Sequence, residues 1–196
     1  MRELSLHILD ALENSLEAGA SRVTLTIEED LAADRLTITI TDNGRGMDAE
    51  TARKALDPFF TTRTTRHVGL GLPLFAAAAR RCNGDLTIES EVGQGTTVRA
   101  TFQHSHIDRA PLGDIRGSLL SFLLAEHPVD LHYVHRVNGR HFEFDTADIR
   151  AELGDVPLSH PLVRAWLSEF IAEGEREVTT NLQINNNLER NTEAAR

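Results

Sequence analysis

Two polar side chains suited to chemistry, Asp10 and Asn14, lie one helical turn apart in the stretch HILDALENSLEAGA, residues 7–20. At about 100° per residue, they share one helix face with His7 and Glu17. The opposite face is apolar and consists of Ile8, Leu9, Leu12 and Leu16. The pattern has two interpretations: a polar face that is simply solvated, or a face on which Asp10 and Asn14 meet a shared ligand.

A second candidate site lies in TDNGRGM, residues 41–47, where Asp42 ends a predicted strand. Glycine has no Cβ, so Gly44 and Gly46 would let a flat ligand approach the backbone closely. The carboxylate of Asp42 could accept a hydrogen bond from an amino group on that ligand. Most strings of this type are ordinary turns, so the motif alone does not decide between a turn and a site.

Two further glycine-rich stretches could complete such a site. In VGLGLPLF, residues 68–75, Gly69 and Gly71 lie at the start of a predicted helix, where free N–H groups and the helix dipole favour an anion. The stretch is not a P-loop, because no Gly-Lys-Ser or Gly-Lys-Thr follows. In GQGTT, residues 93–97, the hydroxyl groups of a glycine-rich turn can donate to a ligand.

The composition argues against other classes of protein. The 196 residues carry a formal net charge of -10, which argues against general binding to nucleic acid or to anionic membrane. The single cysteine, Cys82, permits neither a disulfide framework nor a thiolate metal site, so a cytoplasmic location is expected. The charged N-terminus does not resemble a signal peptide, and no apolar run approaches the ~18 residues of a membrane helix.

The elements that would position these motifs follow from hydrophobic periodicity. Residues 1–103 predict a helix, two alternating strands, a short helix with Asp48 as its N-cap, a loop, a third helix and two more strands. Antiparallel strands with helices on one face make an α+β fold, here a two-layer α/β sandwich with a mostly antiparallel sheet. Residues 104–111 are predicted to be a connector.

The remainder of the chain predicts a small C-terminal α+β unit over residues 112–174. Its strongest signal is a hairpin centred on Asn138 and Gly139, which suit a type I′ turn. The tail, residues 175–196, is polar and rich in asparagine. It is predicted to be disordered or a frayed helix.

These motifs resemble the ATP-binding domains shared by DNA gyrase, a heat-shock chaperone, the histidine kinases and the mismatch-repair ATPases, the GHKL superfamily with its Bergerat fold. The matching segments span roughly residues 3–102 and read LDALENSLEAGA, DNGRGM, DPFFTTR, VGLGL and GQGTTV. Each motif is weak alone, but their occurrence in this order is specific. The resemblance implies that the chain binds ATP with Mg²⁺.

The resemblance also implies a role for each matching residue. Asn14 would bind Mg²⁺ through its side-chain oxygen, and Asp42 would accept the adenine amino group, with Thr97 donating behind the ring. Asp10 stands where the hydrolysing members place a catalytic base, although Asp is shorter than the usual Glu. The other expected nucleotide contacts are Gly44, Gly46, Met47, Phe60, Thr61, Arg63, Arg66, Gly69, Leu70, Gly71 and Leu72.

Two functions fit this resemblance. The first is a Mg²⁺-dependent kinase or ATPase of histidine kinase-like type that acts on or regulates an unidentified partner protein. Its phosphate acceptor is expected on another chain, because no phosphoacceptor hairpin precedes the first predicted helix. The second is a non-catalytic, nucleotide-sensing regulatory module, similar to histidine kinase-like proteins found with hydrogenase-type redox systems. Neither function calls for a membrane or nucleic acid, and both leave a homodimer open.

Overall fold

A computed structural model describes residues 2–57, 71–124 and 129–193, and for residues 181–193 only the backbone. In chain order the elements are α1 (Leu4–Glu17), β1 (Arg22–Asp30), β2 (Arg35–Asp42), α2 (Ala49–Lys54), α3 (Gly71–Arg81), β3 (Leu86–Glu91), β4 (Gly95–Gln103), α4 (Ile115–Leu123), β5 (Asp130–Val137), β6 (Arg140–Asp145), α5 (Thr146–Leu153) and α6 (Pro161–Glu193). The predicted α+β class is confirmed.

The described strands form one six-stranded sheet in the order β3-β4-β2-β1-β5-β6. Neighbouring strands are antiparallel except β1 and β5, which run parallel with Leu25 opposite Tyr133. The sheet is therefore mostly antiparallel, as predicted. The hairpin predicted for the second unit extends the first sheet by pairing β5 with β1. How independently the two predicted units fold stays a prediction.

Local signals in the sequence account for the ends of several elements. Asp48 caps α2, because its Oδ1 accepts a hydrogen bond from the backbone N–H of Thr51 at 2.7 Å. Asn138 and Gly139 have φ angles of 47° and 84°, as the type I′ turn between β5 and β6 requires. Pro73 is the third residue of α3, a position where its missing N–H leaves no helical hydrogen bond unmade.

One continuous apolar core joins the sheet to the helices. It includes Leu4 and Leu12 of α1, Phe75 of α3, Leu119 of α4 and Leu167 of α6. Helix α1 contacts both α3 and α4, and α6 contacts α4, β5 and β6. The helix that carries Asp10 and Asn14 belongs to the first predicted unit, and it contacts both α3 of that unit and α4 of the second.

Helix α6 continues beyond the predicted boundary at residue 174. It is helical to Glu193, so the described part of the tail continues α6. The first part of the tail packs on the sheet: Val178 is buried, and the Arg140 guanidinium donates to the Glu177 carbonyl at 2.8 Å. Neither α6 nor any other helix within the described ranges is both long and apolar enough to cross a bilayer.

A buried hydrogen-bonded cluster links α6 to the sheet. His135 on β5 is fully buried, with Nδ1 2.9 Å from Glu175 of α6 and Nε2 3.1 Å from Glu29 of β1. Tyr133 donates to Glu175 at 2.7 Å, and His104 lies 2.6 Å from the other Glu29 oxygen. Burial alone would lower the pKa of His135, but the two carboxylates raise it to about 9.

Candidate functional site

Helix α3 covers part of the polar face of α1. The buried ring of His7 stacks on Phe75, with the ring centroids 5.1 Å apart. Nearby, a Cβ placed on Gly71 would lie 3.2 Å from the Cβ of Asp10. Asp10 and Asn14 are both half-buried. The interpretation of a solvated polar face therefore fails at His7, and Asp10 lies beside the first residue of α3, where the helix dipole favours negative charge.

The side chain of Asp42 is fixed at the end of β2. Its Oδ2 accepts a hydrogen bond from the Ser15 hydroxyl of α1 at 3.0 Å, and its Oδ1 accepts from the backbone N–H of Gly44 at 2.9 Å. Each carboxylate oxygen has a second lone pair, so each can still accept from a ligand. Sequence reasoning missed Ser15, because a serine on a helix gives no sign of a partner 27 residues away.

The strand register distinguishes the two threonines of GQGTT. Asp42 is directly opposite Thr96, so both side chains leave the same face of the sheet. Thr97 is opposite Thr41, with their hydroxyls 3.1 Å apart on the other face. The register thus conflicts with the expectation that Thr97 serves the same ligand as Asp42. It favours Thr96, whose hydroxyl lies 2.9 Å from that of Ser90.

The glycines of the two turns are required by contacts within the protein itself. A Cβ on Gly46, where φ is +65°, would lie 1.9 Å from the carbonyl oxygen of Glu91. A Cβ on Gly95, where φ is +103°, would lie 1.9 Å from the carbonyl oxygen of Asp42. A Cβ on Gly44 would lie 2.8 Å from the Cβ of Ala18 and 2.9 Å from Oδ1 of Asp42. Close packing of turns, which the sequence did not predict, therefore explains these glycines without a ligand.

Replacing Gly46 by alanine is expected to lower the free energy of unfolding by more than about 2 kcal/mol, from positive-φ strain and the clash with Glu91. Gly93→Ala is the matched control. Gly93 has a φ of +78°, but a Cβ there would meet no atom within 4 Å. Gly93→Ala should lower the free energy of unfolding by only about 1 kcal/mol, the cost of the positive φ alone. Urea denaturation of both variants measures the difference, and equal losses would contradict this account of the turn.

The remaining predicted contacts divide into two groups. Met47 and Leu72 are described: the Met47 N–H donates to Ser90 Oγ at 2.8 Å, and Leu72 packs against the core. The others lie outside the described residues: Phe60, Thr61, Arg63, Arg66, Gly69 and Leu70. The described part of the candidate site is thus built from α1, the end of β2, the start of β4 and the start of α3.

The donors present at this site fit a magnesium ion that is bound mainly by nucleotide and water. Asn14 offers one amide oxygen, and Asp10 precedes it by one turn. Within the described ranges no group of three or more His, Cys, Asp or Glu side chains could hold a metal ion by itself. Mg²⁺ needs about six oxygens and keeps several waters, so one amide oxygen with triphosphate oxygens would suffice.

The structure combines an open, mostly antiparallel sheet with a carboxylate that two hydrogen bonds hold at the end of β2. Residues 2–106, more than half of the chain, match the family model described as histidine kinase-, DNA gyrase B-, and HSP90-like ATPase. The chain belongs to this family, and these residues form its ATP-binding domain.

Bacterial kinases are among the curated relatives. The chain is 38% identical over 109 residues to the sensor protein kinase FleS of Pseudomonas aeruginosa, covering 56% of this chain and 26% of that protein. It is 31% identical over 97 residues to sporulation kinase C of Bacillus subtilis, covering 50% of this chain and 22% of that protein. The chain thus spans about a quarter of the length of these relatives.

A solved structure extends the fold comparison beyond the family match. The N-terminal domain of a DNA repair protein superimposes with a TM-score of 0.51 at 14% identity, covering 73% of this chain and 52% of that one. At this identity the likeness shows the fold alone.

Proposed function

We propose that this chain binds ATP together with Mg²⁺ and transfers or hydrolyses its γ-phosphate, acting on or regulating a partner protein. The observation that carries the proposal is the fixed carboxylate of Asp42, which shares a sheet face with Thr96 and contacts α1 through Ser15. Membership of the ATPase family supports ATP as the nucleotide. The names of the relatives, two of them kinases, support phosphoryl transfer.

The adenine is proposed to bind against Asp42. Its exocyclic amino group donates to a carboxylate oxygen that the Ser15 hydroxyl and the Gly44 N–H already hold in place. A preorganised acceptor needs no reordering when the base arrives, which favours affinity. Guanine has a carbonyl oxygen where adenine has its amino group, so it would face the carboxylate with an acceptor and bind poorly.

The triphosphate is proposed to lie along the polar face of α1 toward α3. Asn14 supplies one oxygen to Mg²⁺, while the first turn of α3 faces the phosphates with its N–H groups. Asp10 lies next to Gly71 at that turn, which suits a base that orients an attacking hydroxyl or water. Phosphate contacts from Arg63, Arg66 and Gly69 stay predictions.

A nucleotide-sensing role is the second candidate, and the packing of α1 favours it. The Ser5 backbone N–H donates to the Leu112 carbonyl at 2.8 Å, and the Ser118 hydroxyl of α4 donates to the Ser5 carbonyl at 3.1 Å. The helix that bears Asp10 and Asn14 is therefore bonded to the C-terminal part of the chain. A shift of α1 on ATP binding would be passed on to that part without turnover.

The proposed adenine contact is tested by replacing Asp42 with asparagine. Loss of the charged acceptor should weaken ATP binding about 10- to 100-fold, the value of a hydrogen bond to a charged group. Wild type should prefer ATP to GTP by at least about tenfold, and the variant should lose most of this preference. Isothermal calorimetry with both nucleotides measures the two quantities.

The control for this test is Asp155→Asn, which removes the same charge from an exposed position between α5 and α6. Its ATP affinity should stay within about twofold of wild type, because an exposed distant charge is screened. Equal affinity of wild type for ATP and GTP, or an Asp42→Asn variant that binds ATP normally, would remove Asp42 as the adenine acceptor.

A further inference from the structure

The outer edge of β6 has no strand partner in the described part of the chain. The sheet ends with β3 on one side and with β6 on the other. Helix α2 contacts the β3 side, whereas the main contacts of β6 are its neighbour β5 and helix α6. An edge strand directs alternate backbone N–H and C=O groups outward, where an extended segment can pair with them. The sequence of β6, RHFEFD, contains no proline that would prevent this pairing.

Helix α6 lies along β6 and runs antiparallel to it. Phe170 packs on Phe144, with the ring centroids 5.9 Å apart. One turn further along the helix, a Cβ on Gly174 would lie 2.2 Å from the ring of Phe142. Arg140, at the start of β6, donates to a carbonyl that lies almost one turn further still along α6. Ascending positions on α6 therefore lie over descending positions on β6.

The side of α6 that lies beyond this edge carries exposed apolar residues. At about 100° per residue, Leu162 and Trp166 lie next to Phe170, which covers β6, and away from Glu175, which contacts β5. Leu162 is 76% exposed and Trp166 is 50% exposed. The Trp166 ring stacks on Phe170 with the centroids 5.3 Å apart, so it is held in place. Tryptophan is among the residue types that contribute most to binding at protein interfaces.

Two glutamates continue the same side of the helix. Glu173 and Glu177 lie within about 60° of Leu162 around the helix axis, and both are exposed. Neither carboxylate is within ion-pair distance of a cation in the ranges that the structure describes. Arg176 pairs with a different glutamate of α6, and Arg140 is the one cation bonded nearby, to a backbone carbonyl. The outer side of α6 is thus apolar at its start and negative two to three turns later.

These charges favour a basic partner over a second copy of the chain. Because Gly174 lies over Phe142, a two-fold pairing of β6 centred on Phe142 would bring Glu173 and Glu177 of both copies together. Like charges in contact oppose association. A basic segment meets the opposite situation, and the net charge of -10 also attracts it from a distance.

The spacing of these groups specifies the order of side chains on the partner. Along α6, Trp166 is about 10.5 Å from Glu173 and about 16.5 Å from Glu177, at ~1.5 Å per residue. On an extended strand, a residue four positions later lies about 13.6 Å away on the same face, which is between the two acids. A strand antiparallel to β6 runs in the direction of α6, so its apolar residue comes first and its cation second.

We propose that the edge of β6 and the outer side of α6 bind an extended segment of a partner protein, which joins the sheet as a seventh strand antiparallel to β6. An apolar side chain of the segment packs on Trp166, and a lysine or arginine four residues later lies between Glu173 and Glu177. Strands β1 and β5 separate this surface from β2, which carries Asp42. Binding is therefore measured on the full chain without ATP, and its outcome is independent of the proposed nucleotide site.

Two synthetic peptides with blocked ends and a fluorescein label are the probes. STLTVTKTS places a leucine and a lysine four positions apart on one strand face, and STLTVTETS has glutamate in place of the lysine. Fluorescence anisotropy at low ionic strength gives both dissociation constants. The lysine peptide should bind with a dissociation constant below about 1 mM, and the glutamate peptide at least about fivefold more weakly, because like charges repel.

Variants and hydrogen exchange connect this binding to the proposed surface. Trp166→Ala should weaken binding of the lysine peptide at least about tenfold. Ile107→Ala is the matched control, because Ile107 is 96% exposed in the connector after β4, and its affinity should stay within about twofold of wild type. A double variant, Glu173→Gln with Glu177→Gln, should lose most of the preference between the peptides. The lysine peptide should also slow amide hydrogen exchange in β6.

Four results would overturn the proposal. Wild type that does not bind the lysine peptide would leave the edge without this partner. Equal affinity of Trp166→Ala and wild type, or of the two peptides for wild type, would remove the contacts that select the segment. Unchanged hydrogen exchange in β6 would exclude strand addition. A dimer in sedimentation that Trp166→Ala abolishes would assign the edge to a second copy of the chain.

Discussion

Phosphate release at saturating Mg²⁺-ATP is expected to fall roughly 10²- to 10⁴-fold when Asp10 is replaced by asparagine, while ATP affinity changes less than about threefold. The amide has the size of the carboxylate but cannot accept a proton. A base acts mainly in the transition state, so its loss lowers kcat without a matching change in ground-state binding. The measurement is a phosphate-release assay beside a calorimetric titration.

The geometry of α1 and α3 supports this role for Asp10. Its Oδ2 would lie only 3.4 Å from a Cβ on Gly71, so the carboxylate lies close to the backbone of the first turn of α3. That turn is the proposed position of the phosphates, so the shorter aspartate need not reach far from α1. The hydrolytic step adds water to the γ-phosphorus, breaks the bond to the β-phosphate oxygen, and leaves the water proton on Asp10.

Glu13→Gln is the matched control for the Asp10 variant. Glu13 lies on the same helix, but its side chain is exposed and points away from the face of Asp10 and Asn14. ATP turnover by the Glu13→Gln variant should stay within about twofold of that of wild type. Identical turnover of Asp10→Asn and wild type would remove Asp10 as the base. Tight ATP binding without turnover in wild type would favour the sensing role.

Replacing His135 by leucine is expected to lower the free energy of unfolding by about 3–5 kcal/mol, the cost of removing one member of a buried charged group. Leucine fills much of the imidazole volume, but it leaves Glu29 and Glu175 facing each other without the cation between them. Because Glu175 belongs to α6, that helix should lose its protection from amide hydrogen exchange first. Urea denaturation and hydrogen exchange measure the two effects.

The same cluster predicts how stability changes with pH. The pKa of His135 is raised from 6.5 to about 9, so its stabilisation is complete below pH 6.5 and is lost as pH rises through 9. Burial alone would raise the pKa of Glu29, but hydrogen bonds from His104 and His135 lower it from 4.5 to about 2. The stabilisation of the fold by Glu29 is therefore complete above pH 4.5 and is lost as the pH falls through 2.

His132→Leu provides the comparison for His135→Leu. His132 lies on the same strand and pairs with Glu143 at 2.9 Å, but 29% of its side chain and 45% of that of Glu143 are exposed. An exposed ion pair contributes at most about 1 kcal/mol to stability, so the free energy of unfolding of His132→Leu should be close to that of wild type. Comparable losses in the two variants, or a wild-type stability that is flat between pH 6.5 and 9, would contradict the assigned role of His135.

Local patterns in the sequence predicted the elements because their causes are local. Strict alternation identified the strands, and the backbone demands of Asn138-Gly139 identified the hairpin turn. The face of α1 that carries Asp10 and Asn14 followed from helical periodicity alone. These signals involve residues within a few positions of one another, so no knowledge of the fold was needed.

The missed features depend on residues that meet only after folding. Alternation does not say which strand a hairpin joins, so the parallel pairing of β5 with β1 could not be predicted. Adjacent threonines differ only in sheet face, and register alone separates Thr96 from Thr97. His7 shares a helix face with polar residues, but Phe75 of α3 covers it.

We propose that this chain binds ATP through Mg²⁺ held by Asn14, and one calorimetric experiment tests this binding most directly. ATP is titrated into the whole protein with Mg²⁺ and with excess chelator, for wild type and for Asn14→Ala. We expect wild type to bind one ATP per chain. Mg²⁺ should raise the ATP affinity of wild type at least about tenfold, a gain of about 1.4 kcal/mol in binding free energy, and should not raise that of Asn14→Ala. No ATP binding in wild type, or full Mg²⁺ dependence in Asn14→Ala, would contradict the claim.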